Sequence, residues 1–189
     1  MGPVNPVCLA EIIDLHKREK SKEGVSPWLN SKNESFRHLD TPQDKGTVGV
    51  KLYMAYLLSR GYEAEIVSDQ GDIRYRKPGS TWLKDEVKTA SASIKVLKSG
   101  DWSSYHWFNQ VRPNQEGWDG VTLVSVWPNH TEIYRLSRED YLRNKMIGSA
   151  GISSGHTGTE ELDQVKLISN SSTFNYDEWS CIYTDRETK

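Results

Sequence analysis

Hydrophobic positions along the chain follow two different spacings, and the change from one to the other predicts the order of helices and strands. Apolar residues recur three or four positions apart in residues 7–20 and again from Thr47 to Gly61, so both stretches predict helices. The second stretch ends in Arg60 and a glycine, which is typical of a helix C-terminus. Between the two helices, residues 21–46 are polar and rich in Ser, Asn and Pro, which predicts a loop.

Shorter runs of β-branched, aromatic and alternating apolar residues predict strands beyond the second helix. The predicted strands are residues 63–67, the two arms of a hairpin at residues 72–88, and residues 120–127, 131–136 and 164–169. The hairpin is indicated by Lys77-Pro78-Gly79-Ser80, which has proline and glycine at the two central positions of a turn.

Two more helices and one loop complete the prediction. Residues 101–112 predict a helix because Asp101 is a suitable N-cap and Pro113 follows the last turn. Ser137, with Asp140 three residues on, predicts the start of a short helix. Residues 148–158 hold four Gly and three Ser, which predicts a flexible loop. The sum is a single α/β domain over residues 1–189, with a mixed sheet of about five strands flanked by helices.

The composition indicates a folded, globular protein but does not indicate its function. Of 189 residues, 26% are charged and 35% hydrophobic, which is typical of a folded globular chain. No apolar run reaches the roughly 18 residues of a membrane span, and the first residues lack a signal peptide's apolar core. Cys8 and Cys181 lie at opposite ends and form no metal-type pair, so we expect a cytoplasmic location and no membrane association. The net charge of −2 neither indicates nor excludes nucleic acid as a partner.

The hairpin segment GDIRYRKPGSTWLKDEVKT, residues 71–89, carries the candidate chemistry. Glu86 and Lys88 share one face of their strand because side chains alternate. A two-residue loop at Pro78-Gly79 would place Asp72 opposite Asp85, on the other face. A register shift of one residue, from a five-residue loop or a β-bulge, would place Asp72 opposite Glu86 instead. The candidate site requires this shift.

With the shift, two carboxylates and an ammonium group meet on one face. Carboxylates at close range repel, and a hard cation such as Mg²⁺ relieves the repulsion while water and substrate phosphate complete its shell. That chemistry suits phosphodiester hydrolysis, with Lys88 orienting or deprotonating the attacking water or stabilising the transition state. The alternative is a solvated charged face with no ligand.

These residues, in the order helix, strand, hairpin, resemble the PD-(D/E)xK nuclease superfamily, whose restriction-endonuclease-like core is αβββαβ. Gly71-Asp72 stands at its first motif and Glu86-Val87-Lys88 at its second. DKGTVGVKLYMAYLLSRGYEAE resembles the family's glycine-rich entry to its first core helix, and HWFNQVRPNQEGWDGVTLVSVWPN its helix running into a strand. The resemblance covers about residues 44–136. It implies catalysis by Asp72, Glu86 and Lys88, and Mg²⁺, replaceable by Mn²⁺, bound at Asp72, Glu86 and Val87.

Two positions depart from the family pattern. Gly71 replaces the usual proline before the aspartate. Val50 stands where many members carry a glutamate on the first core helix, which removes one metal contact and puts two-metal versions of the mechanism in doubt. Lys51 follows Val50 and is either a contact to the DNA backbone or a solvated helix lysine.

Further candidates lie around this motif. Gln110, four residues after His106 on the predicted helix, is either a catalytic residue, as the resemblance implies, or an ordinary polar residue. The candidate DNA contacts are Ser91, Ser93, Arg112 and His156, each with an ordinary surface or loop role as the alternative. Trp102, Trp107 and Trp118 predict core packing, with base stacking as the alternative.

The resemblance implies a type II restriction endonuclease acting on double-stranded DNA. Terminal segments outside the core would then serve recognition or dimerisation, and a two-fold homodimer is the economical way to cut both strands. Residues available to read bases in the predicted flexible regions are Lys32, Asn33, Arg37, Lys145, Asn170 and Asn175. The alternatives are a phage or repair nuclease acting on structured DNA, a homing or nicking enzyme, and a non-cleaving protein that binds DNA or another partner on the same fold.

Overall fold

The computed structural model describes residues 26–68, 72–96, 102–114, 116–154, 162–170, 176 and 178–186. In chain order, the elements within these ranges are α1 (Glu34–Arg37), α2 (Pro42–Ser59), β1 (Glu63–Ile66), β2 (Ile73–Arg76), β3 (Leu83–Ser91), β4 (Ser93–Val96), β5 (Trp102–Val111), β6 (Gly120–Val126), β7 (Thr131–Ser137), α3 (Arg138–Ile147), β8 (Ile152–Ser154), β9 (Asp163–Asn170) and β10 (Ser180–Thr184). The helix predicted at residues 7–20 lies outside the described residues.

The larger sheet confirms the predicted α/β class. Its six strands have the order β1-β2-β3-β6-β7-β10. The β3–β6 pair is parallel and the other pairs are antiparallel, so the sheet is mixed. The predicted strands at residues 63–67, 120–127 and 131–136 and the hairpin all belong to it, whereas β10 was not predicted.

Helix α2 begins earlier than the apolar pattern indicates. Thr41 caps it, since its side chain accepts a hydrogen bond from Asp44 N while the Asp44 carboxylate accepts one from Thr41 N. Pro42 then occupies the first helical position, where the missing N–H costs nothing. The polar first turn hides this start from a hydrophobic pattern. The predicted end is confirmed, because Gly61 follows the helix with φ at 79°.

Helix α2 lies directly on β3, and Gly49 is the point of closest approach. A Cβ atom added at Gly49 would lie only 1.7 Å from Thr89 Oγ1, so any larger residue would force the helix away from the strand. The buried side chains Tyr53 and Leu57 continue the same helix face one and two turns later. This contact fixes the start of α2 beside the strand that carries Glu86 and Lys88.

The helix predicted at residues 101–112 is wrong, because this segment is the strand β5. Ser104, His106 and Phe108 are buried and alternate with more exposed residues, which is the period of a strand. Strand β5 pairs with β4 and β9 in a second sheet of order β4-β5-β9-β8. The two helix-end signals in the sequence, Asp101 and Pro113, are compatible with the ends of a strand as well as with those of a helix. The connection from β3 to β6 therefore runs through β4 and β5, where the αβββαβ order has a helix.

The predicted helix after Ser137 is confirmed as α3. The Ser137 hydroxyl accepts a hydrogen bond from Asp140 N, and Gly148 ends the helix with φ at 69°. The predicted loop at residues 148–158 is partly wrong, since β8 forms within it. The predicted strand at residues 164–169 is confirmed as β9, which belongs to the second sheet.

The core lies against β6 and between the two sheets. All seven residues of β6 are buried, and α2 covers one face of the sheet while β5 and α3 lie toward the other. Across the described part of the chain, no helix combines the length and apolar character that a membrane crossing needs. The layers place the N-terminal part of α2, one edge of β3, and β5 around a common cleft.

Candidate active site

The register of the β2–β3 hairpin decides which charged residues share a face. Ile73 lies opposite Asp85, and Tyr75 lies opposite Leu83. Continued by one residue, this register would bring Asp72 opposite Glu86, which is the shift that the candidate site requires. Asp72 itself lies just before β2, and its N–H donates to the Asp85 carbonyl at 3.0 Å. The turn at Pro78-Gly79 therefore sits inside a connection longer than two residues.

The Asp72 carboxylate lies against the backbone of β3. Its Oδ2 accepts a hydrogen bond from Val87 N at 2.7 Å. Strand β2 pairs with β3 no further than Ile73 opposite Asp85, whereas β6 accompanies β3 on its other side as far as Ser91. Strand β3 thus has an edge beyond Asp85 that β2 leaves open, and Asp72 stands at the start of that edge.

Glu86 and Lys88 form an ion pair on the face of β3 opposite α2. The Lys88 ammonium lies 2.8 Å from Glu86 Oε1, with the two side chains 19% and 7% exposed. The Arg112 backbone N–H donates to Glu86 Oε2 at 3.4 Å. The Glu86 carboxylate is therefore held between a strand neighbour and the end of β5, and little of it reaches solvent.

A cleft of about 770 Å³ opens at this edge of β3. Its walls come from the first half of α2, the end of β1, the open edge of β3 and the end of β5. The predicted site residues that line it are Asp72, Val87, Lys88, Ser91, Ser93 and Gln110. Glu86 is not among the residues that line the cleft, although it forms an ion pair with Lys88, which is.

Two of the helix α2 residues that line the cleft bear on the predicted site, the apolar Val50 and the basic Lys45. Val50 lines the cleft, at the position where the family resemblance places a glutamate. Lys51 is exposed and is not among the residues that line the cleft. Lys45, half-buried in the first turn of α2, lines it instead. Sequence reasoning missed Lys45 because the helix start at Pro42 was hidden.

Gln110 reaches the cleft from a strand, not from a helix. Its φ of 62° is rare for a residue other than glycine, and it lies at an irregularity where β5 gains one residue against β9. Such bulges are over-represented beside active sites. The expected shared face with His106 is wrong, because Gln110 is exposed whereas His106 is fully buried.

His106 is a structural residue of the core. Its Nδ1 lies 2.6 Å from Tyr176 Oη, and its Nε2 lies 3.3 Å from the Val126 carbonyl. Burial lowers the pKa of His106 to about 4, so the ring is neutral near pH 7.

The structure places the remaining DNA-contact candidates in different surroundings. The Arg112 side chain is exposed. Its backbone N–H donates a hydrogen bond to Glu86, and its carbonyl oxygen accepts one from Trp118 Nε1 at 3.2 Å. Trp118 is buried, as core packing predicts, and Trp107 is 39% exposed in the cleft. His156 and Asn175 lie outside the described residues.

Several residues expected to be available for base reading are engaged within the protein. Asn33 Nδ2 donates to the Trp127 carbonyl at 2.9 Å. Lys145 is paired with the buried Asp163 at 2.8 Å. Lys32 is paired with Asp185 at 2.6 Å, and Arg37 donates to Ser26 Oγ. The predicted recognition role fails for Asn33 and Lys145, because both hold the scaffold together.

Sequence reasoning also missed Asp85, which lies directly beside Glu86 on the opposite face of β3. Asp85 is completely buried, and its carboxylate receives Arg135 through two hydrogen bonds of 2.8 and 2.9 Å. Tyr53 Oη donates to it at 2.8 Å and Thr122 Oγ1 at 3.0 Å. A Cβ atom at Gly120 would lie 2.4 Å from Arg135 Nη2, so glycine makes room for the pair. This network anchors the strand beneath the candidate site.

The candidate metal ligands are oxygen atoms, which suit a hard cation better than a soft one. Among the described residues, no three His, Cys, Asp or Glu side chains come together to hold a metal. Asp72 and Glu86 carry carboxylate oxygens, and Val87, next to Glu86 in β3, can offer only a main-chain oxygen. Two carboxylates with water and phosphate are the usual shell of Mg²⁺. The chemistry of these donors is therefore compatible with Mg²⁺, and the metal stays a prediction.

Comparisons with known proteins return a distant structural likeness. No protein-family model matches the chain, and no curated protein matches its sequence. A solved structure of a bacterial homing endonuclease is similar at a TM-score of 0.44 and 15% sequence identity. The likeness covers 74% of this chain and 87% of that chain.

Proposed function

We propose that this protein is a Mg²⁺-dependent DNA endonuclease that hydrolyses phosphodiester bonds, of the sequence-specific restriction type. The observation that supports the proposal is the hairpin register with Ile73 opposite Asp85. Continued by one residue, that register would bring Asp72 to the face of Glu86 and Lys88, and Asp72 and Lys88 line a cleft at the open edge of β3. The same three residues carry the resemblance to PD-(D/E)xK nucleases.

In the proposed mechanism, the chain's own residues hold the substrate and manage charge. Asp72 and Glu86 would hold the cation, which supplies a water of lowered pKa and neutralises charge on the phosphate. Lys88 orients that water or stabilises the charge that builds up on the phosphorus oxygens. Lys45, Ser91 and Ser93, which line the cleft, contact the DNA backbone.

The alternative to a restriction enzyme is a protein of the same fold that binds DNA without cutting it. The observation that favours this alternative is Val50, an apolar side chain in the cleft at the position of a family glutamate. A nuclease of another type, such as a repair, homing or nicking enzyme, would share the same site and differ in its products.

The test is incubation of the full chain with supercoiled plasmid and Mg²⁺ or Mn²⁺, beside Lys88→Ala and Asp72→Asn. Two matched controls change the same residue types away from the cleft: Lys77→Ala in the hairpin turn and Asp40→Asn before α2. We expect discrete fragments from the wild type and both controls, and at least a hundredfold slower cutting by the two site variants.

The products separate the alternatives. Smeared products point to a non-specific nuclease, and nicked circles alone point to a nicking enzyme. Uncut DNA under both metals, with retained DNA binding, would overturn the endonuclease and support the binding protein. We propose a homodimer for double-strand cutting, and sedimentation of the protein with and without a duplex tests it.

A further inference from the structure

The outer face of the second sheet carries an aromatic and polar surface next to the cleft. We define this outer face by Tyr105, Trp107 and Asn109 on β5, which alternate with the buried His106 and Phe108. On β9, Ile168 and Lys166 lie opposite Tyr105 and Trp107, and Gln164 is hydrogen-bonded to Asn109. Trp107 is 39% exposed, so the face reaches solvent with a large ring.

The side chains of this face are arranged for planar ligands and polar edges. The rings of Tyr105 and Trp107 meet edge to face with centroids 6.3 Å apart. The Lys166 ammonium lies 5.3 Å from each ring centroid. Asn109 Oδ1 accepts a hydrogen bond from Gln164 Nε2, which directs the Asn109 amino group away from Gln164. The face therefore offers a ring, a cation and an amide donor side by side.

The outer face and the cleft form one continuous surface. Trp107, Asn109 and Gln110 line the cleft together with Asp72 and Lys88. The bulge at the end of β5, where Gln110 adopts a φ of 62°, marks the place where one surface passes into the other. A ligand with its backbone in the cleft would have its next units on the outer face.

Charge on this face suits a polyanion. Among its described residues, Lys166 is a cation and none is a carboxylate. The carboxylate nearest in sequence on β9, Asp163, is 1% exposed, turned inward and paired with Lys145. The Asp163 carboxylate therefore adds no negative charge to the outer face.

We propose that the outer face recognises the bases of duplex DNA beside the cleaved phosphodiester bond. This proposal rests on the proposed endonuclease function. The bases of duplex DNA present hydrogen-bonding edges in the grooves, and amide and lysine side chains recognise these edges. Asn109 and Gln110 supply amides, Lys166 supplies the cation, and Trp107 packs on the groove edge. Phosphates are held by the cleft, so this face contributes sequence preference more than affinity.

The experiment selects sequences from a pool of random duplexes by binding to the full chain without divalent metal. In parallel, the ends of fragments produced with Mg²⁺ are sequenced. The variants are Asn109→Ala and Lys166→Met. Lys77→Met is the matched control, because Lys77 also lies over an aromatic ring, Tyr62, at 5.9 Å. Thermal unfolding of each variant shows whether it is folded.

We expect the wild type and the Lys77 control to select one common sequence. Each outer-face variant should lose discrimination at one or two base pairs by roughly 5- to 150-fold, with binding to random duplexes changed by less than about twofold. An unchanged preference in both folded variants overturns the inference, as does a wild type that binds and cuts without preference. If the wild type binds one sequence selectively without cleaving it, and the variants lose this selectivity, the inference is supported and the endonuclease proposal is overturned. Absence of both binding and cleavage overturns both.

Discussion

The Lys88 ammonium lies 2.8 Å from Glu86 Oε1, and the Asp72 carboxylate lies against the same strand through the Val87 N–H. The lysine therefore occupies one oxygen of a carboxylate that the proposed mechanism assigns to a cation. A cation bound as proposed would compete with the Lys88 ammonium for this carboxylate, and the ion pair would then weaken its binding while it holds the lysine in place.

Replacement of the lysine should separate metal binding from catalysis. Lys88→Met is expected to bind Mn²⁺ about fivefold more tightly than the wild type, because it frees the buried Glu86 carboxylate from its ion pair. The same variant should not cut DNA. Titration calorimetry with Mn²⁺ measures the affinity, and Glu86→Gln should abolish the binding. An affinity of Lys88→Met equal to or weaker than that of the wild type would show that Glu86 is not a metal ligand.

Arg135 is expected to control stability through the buried Asp85. Arg135→Met leaves a fully buried carboxylate without its two strongest donors, so unfolding should cost about 3–5 kcal/mol less. Urea denaturation measures the change. The matched control is Arg143→Met, which breaks an exposed pair with Asp140 and should change the free energy of unfolding far less. Equal effects of the two variants would contradict the assignment of Asp85 as an anchor.

The hairpin shows how far a sequence determines a site. Alternation places Glu86 and Lys88 on one face of any regular strand, so their pairing could be predicted. The position of Asp72 could not, because it depends on the length of the connection around Pro78-Gly79. Two turn geometries are compatible with the same residues, and only the pairing of Ile73 with Asp85 decides between them.

The segment at residues 101–112 shows where the sequence signal is ambiguous. Its Asp101 and Pro113 satisfy the rules for helix ends, whereas its core favours β structure through aromatic residues and period-two burial. Tertiary pairing with β4 and β9 determines the outcome. Asp85 was missed for a related reason. A carboxylate with buried partners on α2, β6 and β7 has no local signal, because those partners lie far away in the chain.

We expect Gln110 to destabilise the folded protein while it contributes to DNA cleavage. Its φ of 62° is unfavourable for a side chain with a Cβ atom, so Gln110→Gly should raise the free energy of unfolding by about 1 kcal/mol. If the side chain contacts the substrate, cleavage should fall about tenfold or more in the same variant. Urea denaturation and plasmid cleavage measure the two effects. Gln110→Asn, which tolerates this φ and keeps an amide, should retain more activity than the glycine variant.

His106 should make the protein less stable in mild acid. Burial lowers its pKa to about 4 in the folded state, below the ordinary value of 6.5 in the unfolded state. Between these values the unfolded chain binds more protons, so stability rises with pH through the window and is lost as pH falls below 6.5. At pH 5 the loss from this residue is about 2 kcal/mol.

Denaturation in urea at pH 5 and pH 7 tests this, with His106→Gln as the comparison because glutamine has no charge to gain. The titratable groups around the ring are Glu132 and His130. Hydrogen bonds from His130 and Tyr134 and the charge of Arg186 outweigh burial and lower the pKa of Glu132, so that carboxylate loses its stabilising effect only at more acidic pH. The stability difference between pH 7 and pH 5 should therefore be larger in the wild type than in the variant. Equal differences would mean that His106 is protonated in the folded protein and that its burial leaves its pKa unchanged.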